Sequence, residues 1–260
     1  MQRFTHVLEE MVVRGIDYRD SRATPAMRVP QPKSAKVMRA FKALANRKWP
    51  EQIIVKFGKR KHMTELLLEG RGRVSPATSY KDESLGYARA DDESTISAFL
   101  DPSDSHRIMA IKEEPGRSIG LDIKVPYLGS VPITMQATTD FYVYCLGESI
   151  DVRLFDDLDA DACVVITQPE EFKARVQNAL SKQLQGWQFV AGPVIYFDPF
   201  FARVHQMVPQ FWKHFRFSYQ NEYRLVWLPP KPVDQWTGKN IDHIWFDVGP
   251  LTNCGKLVWL

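Results

Sequence analysis

The segment FRFSYQNEYRLVW, residues 215–227, holds the densest set of side chains in the chain that could do chemistry together. Its alternation of polar and apolar residues predicts a β-strand. Gln220, Glu222 and Arg224 then fall on one face, and Asn221, Tyr223, Leu225 and Trp227 on the other. The second set reads as a core face. On the first, side chains two residues apart project the same way from bases ~7 Å apart, so Gln220 and Glu222 can address one ligand. A carboxylate so placed can accept a hydrogen bond from a sugar hydroxyl and stabilise positive charge developing at an anomeric carbon, while the amide orients an acceptor. The structural use of the same row is a charge ladder in which Arg224 pairs with acids around Glu222.

Three other stretches carry candidate groups. In ARADDES, Arg89 stands beside Asp91, Asp92 and Glu93, a set that can bind a phosphate or ribose or pair internally. In KRKH, Lys59, Arg60, Lys61 and His62 make a cationic helix start suited to an anionic ligand. Phe211 and Trp212 beside Lys213 can stack on a base or a nicotinamide ring, or simply fill the core. The familiar phosphate-loop, dinucleotide, zinc-protease and serine-elbow patterns are missing, and the six His residues are scattered without metal-ligand spacing.

The elements that must position these groups follow from periodicity. A short amphipathic helix is expected over the first ~14 residues, then an extended proline-bearing connector, RATPAMRVPQPKS. Ser34 is expected to cap a helix reaching about Arg47, with Val37, Met38, Phe41 and Leu44 on its apolar arc. EQIIVKFG reads as a strand and HMTELLLEG as a helix ended by Gly70. HRIMAIKEE, SIGLDIKV, VPITMQATT and FYVYCLGE read as an antiparallel meander, and ACVVIT as a buried strand. Thr167 and Glu170 have the spacing of a capping box at the start of a helix that buries Phe172, Val176, Ala179 and Leu180. FVAGPVIYF, HIWFDVG and KLVWL complete the strands. The expected fold class is α+β, mainly antiparallel sheet with a few packed helices: an N-terminal helical, basic segment (1–48) on a single domain (49–260).

Composition narrows the function. The 260 residues are 44% hydrophobic, enough for one large core, and contain no apolar run able to span a bilayer. The start lacks a secretory pattern, and Cys145, Cys163 and Cys254 suit a reducing cytoplasm better than a disulfide framework. Net charge is only +3, but thirteen Lys/Arg face three acids between residues 28 and 73. Such segregation can attract phosphates, including those of nucleic acid.

Two resemblances add to this. The late Q-x-E, Gln220 and Glu222, resembles the closing motif of the ADP-ribosyltransferase superfamily, and VKFGKRKHMTELLLEGRGRV is similar to its opening strand–Gly–helix–Gly–strand element. That resemblance implies Glu222 as the catalytic acid, Gln220 on the acceptor side, and Tyr80 from PATSY against nicotinamide. It further implies NAD as substrate, held by bases such as Lys56, Arg60, His62, Arg89 and Lys213. Here Lys56-Phe57 precede Gly58, where the superfamily usually has Arg or His just before the glycine. From about Phe57 to Trp227 the order of features also resembles a bacterial family associated with phage-defence or abortive-infection genes. It singles out Tyr80, Asp82, Arg89, Asp92, Glu93, Lys213, Gln220, Glu222 and Arg224. The expectation is an NAD-using toxin or defence protein acting through Glu222. The alternatives are a nucleic-acid-binding or partner-docking module, or a divalent-metal hydrolase using Asp82, Asp92, Glu93 and Glu222.

Overall fold

The computed structural model describes residues 35–44, 47–82, 92–100, 107–114, 117–124, 131–137, 139–199, 207–230 and 242–260. The expected helix over the first ~14 residues, the proline connector, the Ser34 cap and Arg89 lie outside them.

Within them the chain is α+β. Helix α1 (Ala35–Leu44) leads to strand β1 (Ile54–Gly58), helix α2 (Arg60–Leu68) and strand β2 (Arg71–Pro76). A 3-10 turn (Ala77–Lys81) follows. Then come β3 (Thr95–Leu100), β4 (Arg107–Glu114), β5 (Arg117–Lys124), β6 (Val131–Gln136) and β7 (Tyr142–Gly147). Helix α3 (Leu154–Asp157), β8 (Ala162–Ile166) and helix α4 (Pro169–Leu180) precede β9 (Gln188–Pro193) and β10 (Ile195–Phe197). The chain ends through β11 (Trp212–His214), a second 3-10 turn (Phe215–Gln220), β12 (Glu222–Leu228), β13 (Ile244–Asp247) and β14 (Gly255–Trp259). No described helix is long and apolar enough to cross a membrane.

The main sheet runs β13-β2-β7-β1-β8-β14, with β12 on the other edge of β7 and β9 beyond it, all antiparallel. Every residue of β8 is buried because both faces of the sheet are covered. Ala162, Val164 and Ile166 face a core completed by Met63 and Leu66 of α2 and by Phe172, Val176 and Leu180 of α4. Cys163 and Val165 face Ala40 of α1 and Phe155 of α3.

Several expectations are corrected. The four central strands form no continuous meander: β4 pairs with β5 as expected, but β6 closes on β3 and β7 joins the main sheet. Alternation alone marks each segment as a strand and does not choose its neighbour. On α1 it is Val37 and Ala40 that are buried, while Met38 and Phe41 are exposed. Helix α4 has no capping box. Thr167 donates its hydroxyl to the Cys254 carbonyl, and the helix starts at Pro169 with Glu170 and Glu171 in its first turn.

The feature that shapes the molecule is the way β1 and β2 share one edge of β7. Both run antiparallel to β7, hence parallel to each other, with α2 connecting them. β1 meets β7 only at Val55–Gly147, and β2 only at Ser75–Val143 and Pro76–Tyr142. Between these points the two strands part, and among the described residues the stretch Tyr144–Leu146 has no strand neighbour on that side.

Gly70 keeps the return from α2 tight. Its φ is +75°, and a Cβ there would sit 2.0 Å from the Gly249 carbonyl oxygen. Gly70→Ala is expected to cost about 2 kcal/mol or more, from the left-handed backbone plus the collision. A lower urea midpoint at unchanged m-value checks it.

Candidate functional site

The parting of β1 and β2 opens a cleft of about 910 Å³ floored by Tyr144, Cys145 and Leu146 of β7. Lys56, on the diverging part of β1, bridges the gap. Its ammonium donates to the Cys145 carbonyl at 2.7 Å and lies 4.1 Å from the centroid of the Tyr144 ring. A side-chain cation thus bonds the carbonyl on the stretch that neither neighbouring strand reaches.

Glu222 does not share a strand face with Gln220. Residues 215–220 form a 3-10 turn. Asn221 adopts φ 41°, ψ 56°, and the strand begins at Glu222. Asn tolerates this left-handed conformation better than most residues, so the apparent alternation is broken at its centre. Gln220 is buried in the turn, and both side chains reach the cleft from different elements. From Glu222 onward the alternation holds. Tyr223, Leu225 and Trp227 join the larger core, while Glu222, Arg224 and Val226 point the other way.

That second face is neither solvated nor apolar. Glu222 and Arg224 join Glu93, just before β3, and Lys213 of β11 in a closed ring of alternating charge. Lys213 lies 3.1 Å from Glu93 and 3.3 Å from Glu222. Arg224 donates its Nε to Glu222 at 2.8 Å, its Nη2 to Glu93, and its Nη1 to the Gln210 carbonyl at 2.8 Å. All four side chains are buried, Arg224 completely. Tyr196 accepts the Glu222 backbone N–H at 2.8 Å. Two carboxylates and two cations leave the ring neutral, and each charge meets two of opposite sign, the condition under which buried ions are tolerated.

The surroundings set ionisation. Burial alone would raise the Glu222 pKa, but the Arg224 guanidinium and then the Lys213 ammonium outweigh it and hold the carboxyl well below the usual range. Glu222 is therefore an anion at any physiological pH and no general acid. Burial, reinforced by Glu222, raises the Cys145 thiol, and burial with Cys145, Glu93 and Glu222 raises Tyr80. Cys145 is thus an inert thiol, and its Sγ stands 4.0 Å from the Tyr80 hydroxyl.

Most of the residues expected from the sequence meet here. Lys56, His62, Tyr80, Lys213, Gln220 and Glu222 all line the cleft, although they come from β1, α2, both 3-10 turns, β11 and β12. Arg60 does not. Its guanidinium stacks 3.9 Å from the Trp259 ring centroid, away from the cleft. Phe211 and Trp212 are packing residues, with Trp212 tilted on Phe197. Of the acids considered for a metal, Asp82 lines the cleft, Asp92 bonds Ser94 and Lys81, and Glu93 and Glu222 bond the two cations. Among the described residues no three His, Cys, Asp or Glu are grouped to hold a metal ion. The basic run is dispersed: Lys36 and Lys59 both hold Asp159, Arg60 takes Trp259, and Arg71 and Arg73 line the cleft.

Sequence reasoning assigned no role to Ser75 or His243, which are cross-strand neighbours in the cleft. Nothing in their local spacing marks them, since they lie 168 residues apart. A scan against protein-family models matches none, and searches of curated proteins and of solved structures find no match.

Breaking the charge ring leaves an uncompensated buried ion. Glu93→Gln or Lys213→Met is expected to lower stability by about 3–5 kcal/mol, and the double variant by less than the sum, because it removes a cation and an anion together. Urea titrations of the three proteins check this. Acid sensitivity follows as well. Glu222 has a folded pKa below its unfolded one, so its contribution is full above about pH 4.3 and drains away as pH falls further. Thermal midpoints read against pH should show a steeper acid limb in wild type than in Glu222→Gln.

Proposed function

We propose that the cleft binds a dinucleotide of the NAD type, and that Glu222 stabilises the ribosyl cation formed as the nicotinamide bond breaks. The observation that carries this reading is the convergence of Lys56, His62, Tyr80, Lys213, Gln220 and Glu222 on one cleft, from positions spread across the chain. Its volume lies in the range of cofactor sites. Arg71 on its wall supplies positive charge for a pyrophosphate.

Breaking the bond from the ribosyl C1′ to the nicotinamide nitrogen sends its electron pair to the ring and leaves an oxocarbenium-like cation. A permanently ionised carboxylate favours that charge, and being ionised is what the role requires. Arg224 and Lys213 keep Glu222 ionised and fix its rotamer, at the cost of sharing its field. Gln220, entering from the 3-10 turn, is on hand to orient an acceptor hydroxyl. That oxygen forms the new bond to C1′ and releases its proton to solvent. A protein with this activity would serve as a toxin or defence factor, in keeping with the second resemblance.

The test uses NAD labelled in its adenosine half and, separately, in nicotinamide, with wild type and Glu222→Gln. Wild type is expected to release nicotinamide and either free or acceptor-bound ADP-ribose, and the variant to do so about 10²-fold more slowly. NAD should still raise the variant's thermal midpoint, which separates lost chemistry from lost binding. Equal turnover by both proteins would remove Glu222 from the mechanism.

A further inference from the structure

The β2–β13 ribbon carries a second constellation that the proposed reaction does not use. The register pairs Ile244 with Val74 and Trp245 with Arg73, so the next residues along, Ser75 and His243, also face each other. Gly72 and Val74 turn toward the core, where a Cβ on Gly72 would collide with the Phe246 ring. Arg73 and Ser75 therefore take the opposite side. Together with His243 and Trp245 they line the cleft.

Ser75 is 7% exposed, and its hydroxyl stands 3.1 Å from His243 Nδ1. His243 is itself open to solvent. Loss of part of its hydration, and after it the Arg73 guanidinium, lower the His243 pKa against a smaller opposing effect of Asp242. The imidazole is neutral at physiological pH, which leaves Nδ1 able to accept the serine proton. On β7 the neighbour of Ser75 is Val143, whereas that of Glu222 is Gly147. Four residues of strand separate the two rows by ~13 Å, so this pair is distinct from the charge ring.

The geometry points to Ser75 and His243 as a nucleophile–base dyad that accepts the acyl group of an ester with a negatively charged acyl arm. Ser75 Oγ forms the new bond to the carbonyl carbon and His243 takes its proton. The departing alcohol leaves with that proton, and water attacks the acyl-serine by the same route. Arg73, two residues along the same face, meets the acyl arm's charge while lying 5.8 Å from the Trp245 ring centroid.

The full chain is incubated with a fluorophosphonate probe, in which an O–P bond replaces P–F, fluoride leaves and His243 takes the proton. The modified residue is then mapped by mass spectrometry. Wild type is expected to be labelled at Ser75, Ser75→Ala not at all, and His243→Gln about 100-fold more slowly. Hydrolysis of p-nitrophenyl esters should favour an acyl arm ending in carboxylate over a neutral one, and Arg73→Gln should abolish that preference. No label on folded wild type, label at another residue, or equal rates in His243→Gln would each overturn the assignment. None of these measurements involves NAD, so they stand or fall apart from the role of Glu222.

Discussion

Two carboxylates and two cations buried together are the constraint to which much of this structure answers. Taking one charge out of water costs several kcal/mol unless partners replace its hydration. Glu93, Lys213, Glu222 and Arg224 repay that only as a closed set, so the segment before β3, the short strand β11 and the start of β12 must all arrive at one place. The neighbouring backbone follows suit. Tyr196 accepts the N–H at the first residue of β12, and Arg224 binds the Gln210 carbonyl in the approach to β11. A ring of this kind specifies position more than it adds stability, because an apolar quartet of similar volume could pack there with less strain on solvation.

The second constraint is topological. β1 and β2 both seek the same edge of β7, and only their outer ends reach it. The gap exposes backbone that in a regular sheet would be paired. Lys56 meets part of that need by bonding the Cys145 carbonyl, and the remaining volume is the cleft. Ring and cleft are therefore linked through β7: Cys145 lines the floor of one and pairs in register with Arg224 of the other. A ligand entering the cleft meets an electrostatic environment already organised before it arrives, which is the arrangement that favours charge development at little reorganisation cost.

Much of this was legible beforehand, and the misses share a cause. β1, β8, β13, β14, the helix ended by Gly70 and the buried stripe of α4 follow from hydrophobic period and glycine placement. The pairing of β3 with β6 and of β7 with the main sheet did not, because alternation marks a strand without naming its neighbour. Residues 215–227 alternate as one strand would, although Asn221 stands at their centre. Its left-handed backbone turns Gln220 out of the row, and an Asn within an otherwise regular alternation was the one available sign.

By itself, the sequence determined the α+β character, the core faces, and a set of ionisable residues concentrated around positions 56–93 and 213–224. Local periodicity and residue type carry that information over a few turns or a few strand residues. Only the tertiary structure decided that Glu222 would be bound by Arg224 and Lys213, the cations it shares with Glu93, rather than by water, that Arg60 would leave the cleft for Trp259, and that Ser75 would meet His243. Those outcomes depend on burial and, for Glu93, Arg60 and Ser75, on pairings over more than a hundred residues. The energy of a charge is set by what surrounds it, and no short stretch of chain contains its own surroundings.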